Sequence, residues 1–322
     1  MANKLQNVLP YLANTDQVCY ARLDEIGEGT ARGQRIISVF NGSGLQFTIT
    51  PDRGMNLVDC SFRGIPMVFR TPGGYRGLTG DWLNDWAGGL MTTCGLRNVG
   101  SPSGTQGLHG QISAQSAEQL SIVTDDGDIR ISGRLKEACI GGCNLELFRV
   151  ISTAYGCNEI MVEDTVTNHG EKPEFTEILY HCNLGYPLVS PALKFELPEH
   201  DVDPRDDAAK AALVEWDQFP APLEDFGEYC YRHTLPADEN GWADMRIVND
   251  EIGTALTISY DTATLPRIVE WKKPSKNCYV LGLEPTNGSL NGCVYDSENG
   301  FGKMLAPGES IRYRFKIRFE SV

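Results

Sequence analysis

The chain has 322 residues, 41% of them hydrophobic, with 34 glycines and 17 prolines spread along its length. That is enough apolar material for a sizeable core, and so many turn-formers favour numerous short strands over long helices. Lys and Arg number 28 against 43 Asp and Glu, a net charge of −15. This argues against nucleic acid and membranes as partners and, more weakly, against a polyanionic substrate, although a local arginine pocket for one phosphate stays compatible with it.

Residues Met1 to Gln6 lack a basic stretch followed by an apolar run, so no signal peptide is expected, and no segment is long enough to span a bilayer. Arg35–Phe40 alternates into the turn Asn41-Gly42, and Leu45–Thr50 follows, which predicts a hairpin. Ser61–Phe69 reads as two short strands about Gly64. From Thr71 to Gly110 the glycines crowd, which predicts a long, structured loop system of the kind that carries binding groups. Gln119–Val123 and Ile129–Arg134 flank a turn at Asp125–Asp128, and Leu145–Ala154 and Glu159–Asn168 are further paired strands. Asp203–Asp217 is the best helix candidate. Ala255–Tyr260, Arg267–Trp271, Tyr279–Leu283 and Ser310–Phe319 complete the strands, the last alternating polar and apolar to its end. Continuous β patterning without a linker predicts one all-β domain over residues 1–322, a large sandwich with few short helices, on which residues 1–34 pack as an extension.

The ten cysteines include no C-x-x-C spacing, and most sit in apolar runs. They read as buried free thiols in a reducing cytoplasm rather than a disulfide framework or zinc site.

Only five histidines offer proton transfer near neutral pH. His181 lies on a predicted strand whose face also carries Glu177, Leu179 and Asn183. At about 3.3 Å per residue, Glu177 is roughly 13 Å from His181, too far to pair with it. Glu284 follows the apolar run Tyr279–Leu283 and precedes Pro285, which cannot donate to a ladder and so predicts the strand end there. A carboxylate at a buried strand end is paired, hydrogen-bonded, or raised in pKa into the range of a general base. The structural alternatives are a hydrogen-bonded core histidine and a salt-bridged or turn-capping glutamate. Arg53, in Thr50-Pro51-Asp52-Arg53-Gly54-Met55-Asn56, has a fork of donors suited to sugar hydroxyls or a carboxylate, or to an ion pair with Asp52 or Asp59. His109 stands among the glycines, and Arg97 and Asn98 can add donors to the same cleft. Trp271 can offer a flat face to a sugar, or belong to the core. His169 reads as exposed, and His200 and His233 receive no role.

Taken in order, Asp52-Arg53-Gly54-Met55-Asn56, Thr93-Cys94-Gly95-Leu96-Arg97-Asn98-Val99-Gly100, Leu108-His109-Gly110, His181-Cys182-Asn183-Leu184-Gly185-Tyr186-Pro187 and Gly282-Leu283-Glu284-Pro285 resemble the aldose 1-epimerase, or galactose mutarotase-like, superfamily. The closer likeness is to its DUF4432 branch. The resemblance implies an antiparallel β-supersandwich with a cleft for a monosaccharide or sugar derivative. It implies His181 as general acid toward the ring oxygen, Glu284 as general base toward the anomeric hydroxyl, and Arg53 and His109 as substrate-orienting groups. It implies no metal or organic cofactor, and a homodimer is compatible with it. Two segments depart from the usual pattern: the order here is Arg97-Asn98, and the histidine segment is Tyr180-His181-Cys182-Asn183. Three readings therefore stand open beside anomer exchange. They are a non-catalytic carbohydrate-binding or sensing protein, an epimerase or isomerase acting at another sugar carbon, and a metal-dependent isomerase using His109, His181, Glu177 and Glu284.

Overall fold

The structure, a computed structural model, describes residues 5–322. Five strands come first: β1 (Tyr20–Glu25), β2 (Arg35–Phe40), β3 (Leu45–Thr50), β4 (Asn56–Phe62) and β5 (Ile65–Pro66). They form an antiparallel sheet in sequence order. A short helix α1 (Trp82–Asp85) and β6 (Thr92–Leu96) then lead to β7 (Glu118–Asp125), β8 (Asp128–Ala138), β9 (Asn144–Ala154), β10 (Glu159–Asn168) and β11 (Glu174–Leu184). The remainder is β12 (Leu193–Phe195), β13 (Asp201–Pro204), α2 (Asp207–Ala211), β14 (Tyr229–Thr234), β15 (Trp242–Asn249), β16 (Thr254–Asp261), β17 (Arg267–Ser275), β18 (Cys278–Thr286), α3 (Cys293–Glu298), β19 (Lys303–Leu305) and β20 (Ser310–Ser321).

Two larger antiparallel sheets carry most of these strands. One runs β12-β15-β16-β20-β10-β9-β8-β7, and the other runs β13-β14-β17-β18-β11-β19 with β6 on β11. In the long sheet β10 and β8 alternate strictly, with one face buried and the other wet, whereas β16 is buried at seven successive positions. By contrast, β11 is buried at nine successive positions, Thr176 to Leu184, because both of its faces are covered. A contiguous apolar cluster joins all three sheets through Ile37, Ile131, Tyr180, Leu283 and Phe315.

The structure gives more detail on four of the sequence expectations. The Thr71–Gly110 stretch is not loop throughout, since Thr92–Leu96 is the strand β6. The helix expected over 203–217 shrinks to Asp207–Ala211 plus a 3-10 turn at Leu213–Glu215, and Asp203 belongs to β13. The extension expected over 1–34 contributes β1 to the first sheet, while residues 1–4 lie outside the described ones. Glu284 is not at a strand end, because β18 continues through Pro285 to Thr286. Among the described residues no disulfide is formed, and six of the ten cysteines are buried. Among the described residues no helix is long and apolar enough to cross a membrane.

One ion pair sits at the centre of the packing. Arg149 on β9 donates from Nε to Asp164 Oδ1 at 2.9 Å and from Nη2 to Oδ2 at 2.5 Å, and both side chains are 0% exposed. Tyr180 on β11 donates to Asp164 Oδ2 at 2.7 Å, and Arg149 Nη1 donates to the carbonyl of Gly54 at 2.8 Å. Removing one partner leaves the other charge buried and unpaired, which costs about 3–5 kcal/mol. Arg149→Met and Asp164→Leu are each expected to lower unfolding free energy by that amount in urea titrations. The double variant should recover part of the loss; strictly additive losses would refute the account.

Candidate active site

The register of β11 against β18 builds the site. Leu179 pairs with Thr286 and Cys182 with Leu283, so the same register sets His181 directly opposite Glu284. Across β17, Glu284 faces Val269 and Gly282 faces Trp271; across β14, Trp271 faces Cys230. Side chains alternate along each strand. His181, Glu284 and Trp271 therefore emerge on one face of the sheet, while Tyr180, Cys182 and Leu283 enter the core. Gly282, two residues from Glu284 on that face, is required there: a methyl group would run into the Glu284 carboxyl and the Trp271 Cβ.

His181 Nε2 and Glu284 Oε1 lie 3.1 Å apart. They are close but out of line, since Glu284 Oε1 has no hydrogen-bond partner. The carboxyl oxygen thus keeps an acceptor site that the imidazole does not take up. His181 and Glu284 face a cavity of about 240 Å³ that His109, Trp82, Trp86, Trp271, Arg205 and Glu228 also line. The Trp86 ring lies 5.4 Å from His181, the Trp271 ring 5.3 Å, and the His109 ring 5.7 Å. Trp82 covers His109 at 4.6 Å and stacks on Trp86 at 5.5 Å. Trp271 Nε1 donates to Glu228 Oε2 at 2.9 Å, and Arg205 pairs with Glu228 at 3.0 Å, which fixes the indole.

Burial sets the charge states. It lowers His181 to about 3, reinforced by His109 and opposed by the Asn183 side chain. It lowers His109 to about 4, opposed by Glu228. It raises Glu284 well above the usual carboxylate range, helped by Glu228 and opposed by Arg205. His109 Nδ1 accepts from the Gly100 amide at 3.3 Å, so the neutral ring carries its proton on Nε2.

Of the residues expected from sequence, His109, His181, Glu284 and Trp271 meet in this cavity, and five others do not. Arg97 lines a separate shallow cavity with Glu174 and Cys293. Asn98 is wholly buried, donating to the carbonyls of Ser101 and Gly107 and accepting from the Cys293 amide, so it braces loops. Asn183 is also buried, and its amide donates to the carbonyls of Gly89 and His181; it positions the histidine strand. Arg53 stands in a neighbouring chamber, donating to the carbonyls of Arg76 and Asp85 at 2.7 and 2.5 Å. Glu177 is likewise remote from the imidazoles: it accepts from the Val99 amide, and burial and the carboxyl of Asp296 push it up to about 9. Among the described residues no three His, Cys, Asp or Glu side chains are grouped to share a metal ion.

Sequence reasoning missed Trp82, Trp86, Arg205 and Glu228. The only signal was a pair of tryptophans four apart in Asp81-Trp82-Leu83-Asn84-Asp85-Trp86 within the glycine-rich stretch. Arg205 and Glu228 stand at the ends of a long connection, where nothing marks them.

An exposed histidine titrates near 6.5. His109 and His181 refuse the proton that the unfolded chain accepts below that value. Their contribution to stability is therefore present above pH 6.5 and is lost as pH falls toward about 4 and about 3. Imidazole NMR should show both rings neutral and flat from about pH 8 down to about pH 5, and a midpoint near 6.5 for either would contradict the burial described.

The family model described as a domain of unknown function, DUF4432, matches residues 31–319. No curated protein matches the chain. Among solved structures, a Klebsiella pneumoniae protein named provisionally as an aldose 1-epimerase superposes with a TM-score of 0.86 at 25% identity, over 95% of this chain and 86% of that one. A galactose mutarotase-like protein of Clostridium acetobutylicum gives 0.69 at 14% identity, over 95% and 100%. Galactose 1-epimerase of Lactobacillus acidophilus gives 0.65 at 12%, over 94% and 99%; the last two likenesses speak to the fold alone. With nearly its whole length matched and its sheets arranged as in these structures, the chain belongs to the DUF4432 family and has the galactose mutarotase-like β-supersandwich fold.

Proposed function

We propose that this protein is an aldose 1-epimerase-like isomerase that exchanges the anomers of a sugar by acid/base ring opening. The observation that carries the reading is the His181–Glu284 pair, 3.1 Å apart and unaligned with each other, at the floor of a cavity walled by indole rings. Aromatic faces suit the apolar side of a pyranose, and two groups of different proton affinity suit its hemiacetal.

The proton accounting is simple. Burial favours a neutral imidazole and a neutral carboxyl, so one exchangeable proton belongs to the pair. Passing it from Glu284 to His181 creates base and acid together with no change in net charge. Glu284 then takes the proton from the anomeric hydroxyl while His181 Nε2–H protonates the ring oxygen. The C1–O5 bond breaks, its electron pair goes to O5, and C1 becomes a carbonyl. Rotation about C1–C2 and reclosure with the roles reversed gives the other anomer. His109 offers Nε2–H to a substrate oxygen, and Trp271, held by Glu228, forms one wall. The chemistry needs neither a metal nor an organic cofactor.

General acid–base groups contribute about 10²–10⁴-fold. Glu284→Gln and His181→Asn should each reduce anomer exchange by at least about 10²-fold in magnetisation-transfer NMR, with circular dichroism unchanged. Full activity in both variants refutes the assignment; sugar binding with no exchange in the wild type points to a non-catalytic sugar-binding protein instead. Gly282→Ala should cost activity on the same scale by displacing the Glu284 carboxyl, with no loss of fold.

The pH profile follows from the same pair. Acid inactivation requires a second proton on the imidazoles, so exchange should hold down to the region of about 3 to about 4. The alkaline limb comes when the raised carboxyl loses the pair's proton, well above the ordinary carboxylate range. An acid limb near 6.5 would show that His181 titrates as a solvated histidine and would contradict the mechanism.

A further inference from the structure

On the far side of Trp82 and Trp86 lies a second chamber, of about 680 Å³. Trp82, Leu83, Trp86 and Leu108 line both spaces, so the two chambers adjoin along these residues. The second one is far larger than a polar leftover of folding, and it lies within the about 300–1,000 Å³ typical of pockets that enclose a small ligand.

Its polar equipment is specific. Arg53 is only 7% exposed, and it lines this chamber. Two of the five guanidinium N–H donors are used, on the carbonyls of Arg76 and Asp85, and Nε–H has no partner. Among the described residues no carboxylate lies within 4.0 Å of it. The nearest candidate, Asp85, spends its oxygens on Thr79 N, Thr79 Oγ1 and Gly80 N. Buried charges are ordinarily paired, and a guanidinium against carbonyls alone is not. Trp86 Nε1–H, in the shared wall, is buried and also without a partner. Asn56, Thr92 and Ser113 add short polar groups to the lining.

We infer that this chamber receives a carboxylate of the substrate, so that the protein acts on a reducing saccharide bearing a uronic acid group, its anomeric centre between His181 and Glu284 and its carboxylate toward Arg53. The inference rests on the reading of the His181–Glu284 cavity as the sugar site. A carboxylate, with one charge and two oxygens, matches a single guanidinium and a neighbouring indole N–H. A phosphate dianion would want a second cation, and among the described residues Arg53 is the only basic one that lines the chamber.

The test is calorimetry with the full-length protein and four probes: a hexuronate, a uronate-terminated reducing disaccharide, the parent neutral hexose and its 6-phosphate. One uronate probe should bind at least about tenfold more tightly than the hexose, the scale of one charge-assisted hydrogen bond. That advantage should vanish in Arg53→Gln. It should vanish also in Ser113→Leu, which intrudes on the chamber from its lining and keeps the Arg53 guanidinium, so that a folding defect in the first variant does not decide the matter. Equal binding of uronates and hexose, an advantage that survives both variants, or tighter binding of the 6-phosphate overturns the proposal. Anomer exchange on neutral hexoses without uronate preference would sink this inference and leave the mutarotase reading standing. Uronate binding without exchange of any sugar would do the reverse.

Discussion

The Arg149–Asp164 pair is the interaction on which both chambers depend. Arg149 Nη1 reaches the carbonyls of Gly54 and Met55, the two residues after Arg53. Asp164 accepts from Tyr180, the residue before His181. A charge pair in a wholly apolar setting is weak evidence for stability, because desolvation offsets most of its attraction. Its value here is placement. Met55 holds a positive φ of 49° beside Gly54 at 67°, a conformation L side chains rarely adopt, and the guanidinium ties down the carbonyls of that turn. The same guanidinium, through Asp164, fixes the register of the strand that presents His181. One buried cation thus ties the turn that aims Arg53 to the strand that aims the imidazole.

From that anchor the sheet does the rest. Antiparallel register converts sequence position into lateral position, so two residues 103 positions apart (284 − 181) become cross-strand neighbours. Pro285 has no amide to give to β11, and the ladder between Leu179↔Thr286 and Cys182↔Leu283 goes unbridged at that point. Gly282 leaves the space that the Glu284 carboxyl fills. The carboxyl is therefore close to the imidazole without being consumed by it, a state that a fully bonded pair could not offer to a third molecule.

Much of this was legible in the chain. Arg35–Phe40, Leu45–Thr50 and Glu159–Asn168 match β2, β3 and β10 residue for residue, because each has one wet face and so alternates. Thr92–Leu96 is buried at every position and contains Gly95, pressed against the Glu177 carbonyl, so it carries no alternation to read. The proline after Glu284 signalled a stop, but a missing donor is tolerated where the partner strand asks for none. His109, His181, Glu284 and Trp271 were findable as polar or aromatic residues flanking apolar runs. Arg97, Asn98 and Asn183 looked equivalent to them in sequence; what separates them is which way a strand or loop residue points. Arg53 was legible as an anion or hydroxyl binder, yet its chamber is lined by the Asp81–Trp86 segment, which no pattern in the chain brings to it.

That segment divides the labour. Strands hold the reacting pair, where rigidity keeps donor and acceptor in place, and loops supply the walls. The charge accounting differs on the two sides of the tryptophan wall. In the His181 cavity Glu228 is satisfied by Arg205 and Trp271, leaving Glu284 as the carboxyl with an unpartnered oxygen. In the adjoining chamber Asp85 is satisfied by Thr79 and Gly80, leaving Arg53 as the guanidinium without a carboxylate. Burial resolves the first imbalance by keeping Glu284 protonated, since a carboxyl can neutralise itself. It cannot resolve the second, because a guanidinium does not give up its proton in a protein. Of these two open ends, Arg53 is the one that must wait for charge to arrive from outside, which is why substrate identity is sought there and proton transfer at Glu284.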